Sequence, residues 1–149
     1  MGSAGELLST HSTSARTAII EAAGEALWLY LTDRGSMQIV CDCWLANLKP
    51  NLQPLTDGER AGLREAGLPP PAAPNALRDA GYQLPGDPHA YRIDWSEGGE
   101  AARVLLEDEP IAFVDSGEKR GFHINIAVEC PWGHVFDAEL HERLFEVPS

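Results

Sequence analysis

In Phe122-His123-Ile124-Asn125-Ile126-Ala127-Val128-Glu129-Cys130 the larger apolar side chains fall at every second position, in alternation with His123, Asn125, Ala127 and Glu129. A period of two over nine residues is the pattern of a half-buried β-strand. Turn residues precede it at Ser116-Gly117-Glu118-Lys119-Arg120-Gly121, and Pro131-Trp132-Gly133 follows it. Upstream, three shorter runs repeat the pattern: Tyr91 to Trp95, Arg103 to Leu106, and Ile111 to Asp115 after Pro110. Ser96 to Glu100 and Glu107 to Pro110 supply the turns between them. Four strands joined by short turns predict an antiparallel meander.

The first half of the chain predicts a separate hairpin. Leu27, Leu29 and Leu31 alternate with Trp28, Tyr30 and Thr32; Asp33 to Ser36 turns; Met37, Ile39, Cys41, Cys43 and Leu45 alternate again. Trp28, Tyr30, Val40 and Trp44 share the opposite face, so the sheet is either covered on both sides or presents aromatics to a partner. Thr17 to Glu21, with Ile19 and Ile20, reads as the start of a strand or of a short helix, and the turn-like Ala23-Gly24 that follows favours the strand. Residues 1–15 have no period and read as a flexible terminus.

Residues 49–88 hold eight of the 11 prolines and read as a long connection inside one domain spanning 16–149. Within it, Thr56-Asp57-Gly58-Glu59 has the spacing of a capping box, which predicts a short helix stopped by Gly67. Asn75 is placed to cap a second helical turn ending at Gly81. Asp137 is placed to cap a C-terminal helix through Glu146, with Leu140, Leu144 and Phe145 as its apolar stripe. The expected fold class is α+β, dominated by antiparallel sheet.

Composition limits function. The 149 residues carry 11 basic and 23 acidic side chains, a formal charge of −12. That sign opposes nucleic-acid binding and favours a basic protein partner, although acidity alone also maintains solubility. No apolar run reaches the roughly 18 residues of a membrane span. No secretory leader is visible, Glu6 stands where a myristoylation signal needs Ser or Thr, and three cysteines are too few and odd for a disulfide framework. The expectation is a cytoplasmic protein away from membranes.

Four constellations bear on chemistry. Cys41, Cys43, Cys130 and His134 supply the four soft ligands of a structural zinc, but buried cysteines are also common small core residues. His123, Asn125 and Glu129 share the polar face of the 122–130 run, with Asp115 across the turn. A His beside a carboxylate can act as a general base, and the same residues also suit a solvated face. Lys119 and Arg120 between Gly117 and Gly121 lack a P-loop's spacing and read as a hairpin tip able to meet an anionic group. Trp44 and Trp132 read as anchors for a protein partner, with Glu107, Asp108, Glu109 and Glu118 at the turns as steering charges; the alternative for each tryptophan is the core.

The stretches Trp28 to Thr32, Asp42 to Asn47, Tyr91 to Trp95 and Gly117 to Gly121 resemble those of small bacterial proteins. The organisation is similar to that of immunity proteins of bacterial toxin systems: small, acidic, α+β and without a catalytic signature. The resemblance implies a protein that binds a toxin domain and blocks it, without a cofactor. The alternatives are a His- or zinc-dependent enzyme using His123, Glu129 and His134, and a zinc-stabilised interaction module.

Overall fold

The computed structural model describes residues 6–48, 55–67, 71–79, 84–130 and 132–145. Four strands, β1 (Glu6–Thr10), β2 (Thr17–Ala23), β3 (Ala26–Thr32) and β4 (Ile39–Asn47), form an antiparallel sheet in sequence order. Five more, β5 (Arg92–Trp95), β6 (Ala101–Leu106), β7 (Glu109–Asp115), β8 (Arg120–His123) and β9 (His134–Val135), form a second sheet, also in sequence order. Its first four strands are the expected antiparallel meander; β9 adds in parallel to β8. The α+β class is therefore correct, and the two halves of the chain build separate sheets.

The sheets face each other across the main core. Ile20, Leu27, Leu29, Leu31, Cys43 and Leu45 of the first sheet meet Ala102, Val104, Ala112 and Val114 of the second. Alternation sends their neighbours outward. On the second sheet these include Phe113 and Phe122, stacked with centroids 4.6 Å apart. Helix α2 (Ala138–Phe145) covers them with Leu140, and Leu144 and Phe145 pack at its side. Asp137 caps it as expected, its carboxylate accepting from the Leu140 N–H at 3.0 Å; Glu146 lies outside the described residues.

On the first sheet Trp28 and Trp44, directly paired across β3 and β4, lie beneath Ala72, Leu77 and Ile126. Asn47 anchors that cover: its Oδ1 accepts from the Trp44 indole at 2.9 Å and the Ala72 N–H at 2.8 Å. Half of the outer face is thus covered by the proline-rich connection. Helix α1 (Asp57–Ala66) has the expected capping box and ends on Gly67 in the left-handed conformation. The second turn, Pro74–Ala76, differs: Pro74 opens it, Asn75 lies inside it, and Gly81 is outside the described residues.

Two expectations need correction. Residues 1–15 contain an ordered strand: Leu7 pairs with Ile20 and packs against the main core, which holds β1 on the sheet. The 122–130 strand stops at His123. A turn follows, with the Ile126 N–H bonded to the His123 carbonyl at 3.2 Å. Beyond it, Asn125 and Ala127 bond to Arg78 and Ala76 of the connection, and Ile126 bridges Leu77. The apolar residues of that run go to three places: Phe122 under α2, Ile124 to the main core and Ile126 beneath the connection. Val128 is 53% exposed.

Candidate functional site

His123 does not face solvent. It is fully buried at the end of β8, its ring 4.7 Å from that of Trp44. Its Nδ1 accepts the Asn125 N–H at 2.9 Å, so Nε2 carries the proton and donates to the Leu45 carbonyl at 2.8 Å. Burial pushes its pKa down to about 4, against the weaker opposing effect of the Leu45 bond. Asn125 is equally engaged, holding the Asp79 N–H and carbonyl at 3.0 and 3.1 Å. Asp115 stands opposite Arg120 in the β7–β8 register, three residues from His123, and its carboxylate accepts the Gly117 N–H. Glu129 contacts His134 Nδ1 instead. The expected catalytic grouping is dispersed because the strand that would align it ends at His123.

The four expected zinc ligands do not close into one metal-holding cluster among the described residues. Cys43 is sealed in the core, its thiol bonded to the Trp44 carbonyl at 3.2 Å and the Phe122 carbonyl at 3.5 Å. Burial raises its pKa well above normal, and the Cys41 thiol is pushed up to about 12 by burial and by Asp42 and Asp115. Among the described residues no three His, Cys, Asp or Glu side chains form a cluster suited to a metal.

Three of the four, Cys41, Cys130 and His134, line one open groove of about 330 Å³ between β4 and the β7–β8 turn, with Asp42, Lys119 and Arg120. Among the described residues neither cation has an ion pair, so this rim suits an anionic group. Gly121 sets the groove's depth: a Cβ there would stand 2.3 Å from the Asp42 carbonyl oxygen and 2.4 Å from the Cys43 Cβ.

The expected partner-binding residues divide. Glu107, Asp108, Glu109 and Glu118 are exposed. They sit at opposite ends of β7, roughly 20 Å apart by strand rise, and make no single patch. Trp44 is 2% exposed and is a core residue. Trp132 is half-buried; its ring packs at the edge of the Trp28–Trp44 cluster and its carbonyl accepts the Trp44 N–H at 2.8 Å.

The sequence placed Tyr30 on the first sheet's outer face, and what it did not mark is the part of that face contributed by β1 and β2. Register places Leu8, Ile19, Tyr30 and Asp42 in one cross-strand row, and Glu6 beside Glu21 in the next. Leu8 is 48% exposed and Tyr30 half-buried. Burial, then Glu21 and Asp42, raise the Tyr30 pKa, and burial raises that of Asp42. Apolar and aromatic surface is thus framed by carboxylates. Residues 6–10 looked structureless alone, and their face is defined only by pairing with β2.

Comparison with protein-family models, curated proteins and solved structures gave no match.

Proposed function

We propose that this protein is a non-catalytic binder of a basic protein domain, of the immunity type that occludes a toxin. The observation that carries the reading is the outer face where exposed Leu8 and half-buried Tyr30, with Ile19 buried between them, lie among Glu6, Glu21 and Asp42. An apolar centre with a charged rim is the anatomy of a protein interface. Tyr30 and Leu8 take the anchoring role expected of Trp44 and Trp132. The net charge of −12 draws in a cationic partner and orients it. Glu107, Asp108, Glu109 and Glu118 add to that field at a distance. Occlusion follows by competition, because a cleft that binds an anionic substrate also accepts a carboxylate-rimmed surface. No cofactor is needed for this role.

The test is capture of the product of the adjacent gene by the purified chain, repeated with Leu8→Ser and Tyr30→Ala. The reading expects a cationic partner, inhibition at one-to-one stoichiometry, at least tenfold weaker binding for each variant, and affinity that falls with salt. A partner bound equally by both variants, or salt-independent binding, would refute it.

A further inference from the structure

The edge of β1 is an unprotected strand template. The His11 N–H donates to the Arg16 carbonyl at 2.9 Å at the mouth of the β1–β2 turn. Hydrogen-bonded pairs alternate along an antiparallel ladder. Counting from His11–Arg16, Ser9–Ala18 and Leu7–Ile20 exchange bonds inside the sheet. Glu6, Leu8 and Thr10 therefore turn their N–H and C=O groups to the outside. Among the described residues nothing pairs with that edge.

Edge strands are usually guarded by proline, lysine, a bulge or a covering segment. β1 has no proline, lysine or bulge: it reads Glu-Leu-Leu-Ser-Thr, and its register with β2 is unbroken; the turn at Pro88–Ala90 lies near it but makes no backbone hydrogen bond to it. The far edge of the same sheet is partly closed, since the Trp44 N–H is taken by Trp132 and Gly121 lies against Asp42.

The side chains define the occupant. Glu6 stands directly opposite Glu21, an arrangement of like charges that disfavours the pair. A strand laid beside β1 would place one residue next to Glu6 and another next to Leu8, both on the acidic outer face. A cation at the first position offsets the Glu6–Glu21 repulsion, and an apolar residue at the second extends the Leu8–Ile19–Tyr30 row. We propose that β1 receives an extended segment of the basic partner by strand addition, with Lys or Arg opposite Glu6 and an apolar residue opposite Leu8. The proposal rests on the protein-binding reading above. A second copy fits less well: pairing β1 with itself supplies no cation to Glu6 and brings together two chains of charge −12.

The test uses the full chain and the nine-residue peptide Thr-Lys-Thr-Val-Thr-Lys-Thr-Val-Thr, which sets lysine and valine two apart on one face. Two controls are the same peptide N-methylated on the amides that would face β1, and the peptide with glutamate in place of each lysine. Amide exchange is followed at Glu6, Leu8 and Thr10. The lysine peptide should slow exchange at Leu8 at least tenfold; neither control should. Leu8→Pro removes only an outward N–H, so it should keep the fold and weaken peptide binding at least tenfold. Leu8→Lys provides a second variant with the backbone intact and should weaken it similarly. Equal binding of the N-methylated peptide would overturn strand addition, as would a dimer that protects Leu8 without peptide. If a basic partner binds but Leu8 exchange is unchanged, this inference fails and the binding reading stands. If neither partner nor peptide binds, both fail.

Discussion

His123 and Leu45 join the two sheets: the imidazole Nε2–H of β8 donates to the backbone carbonyl of β4 at 2.8 Å, with no solvent access. The same ring accepts the Asn125 N–H and so begins the turn that ends its strand. One buried side chain therefore fixes both the contact between sheets and the place where the meander stops.

This burial makes stability depend on pH. Above about pH 6.5 the imidazole is neutral both folded and unfolded. As pH falls the unfolded chain takes up the proton first, because the folded pKa is only about 4. Folding should lose up to about 1.4 kcal/mol per pH unit from this group between about 6.5 and 4, roughly 3 kcal/mol in all. Urea midpoints across that range, with imidazole resonances followed in parallel, give the check. A His123 ring that titrates near pH 6.5 in the folded protein contradicts the assignment.

Glycine substitutions should separate a close approach from open space. Gly121→Ala forces a methyl into the Asp42 carbonyl and Cys43 and should cost at least about 2 kcal/mol. Gly62→Ala, in the middle of α1 with nothing within 4 Å, should stabilise that helix by about 0.5–1 kcal/mol. Denaturant curves for the two variants should move in opposite directions.

Thiol reactivity should rank the cysteines. Cys43 and Cys41 are buried with raised pKa values, and Cys130 is half-buried at the groove. A charged alkylating reagent at pH 8 should modify one thiol per folded chain, at Cys130, and all three after denaturation. Peptide mapping that finds Cys41 modified first would contradict the packing of β4.

The β6–β7 turn carries correctable strain. Glu107 and Asp108 have φ values of 51° and 67°, the two left-handed positions of a type I′ turn. Asp108→Gly removes the side-chain clash at the second position and should stabilise by about 1 kcal/mol. The Arg92–Asp108 ion pair lost with it is largely exposed and offsets little. A lowered melting temperature would show that this pair outweighs the turn.

Local chemistry was legible in the sequence. Alternation marked β3, β4 and β5, and turn residues marked the strands β6 and β7 between them, although β3, β4 and β7 bury both faces. The Thr56–Glu59 box and Asp137 marked their helix starts, because a cap depends on residues three apart. The same alternation overran at Phe122 to Cys130. Periodicity records that alternate residues are buried but not against what, and here Phe122, Ile124 and Ile126 enter three different clusters. Only tertiary structure decided that His123 faces Leu45 rather than solvent, that Trp44 lies under the proline-rich connection, and that Cys43 is sealed while Cys130 is not. It also made β1 a strand, through the pairing of Leu7 with Ile20. Five residues with two leucines cannot signal a sheet edge alone, because the bonds and buried area that hold them belong to a neighbour in space.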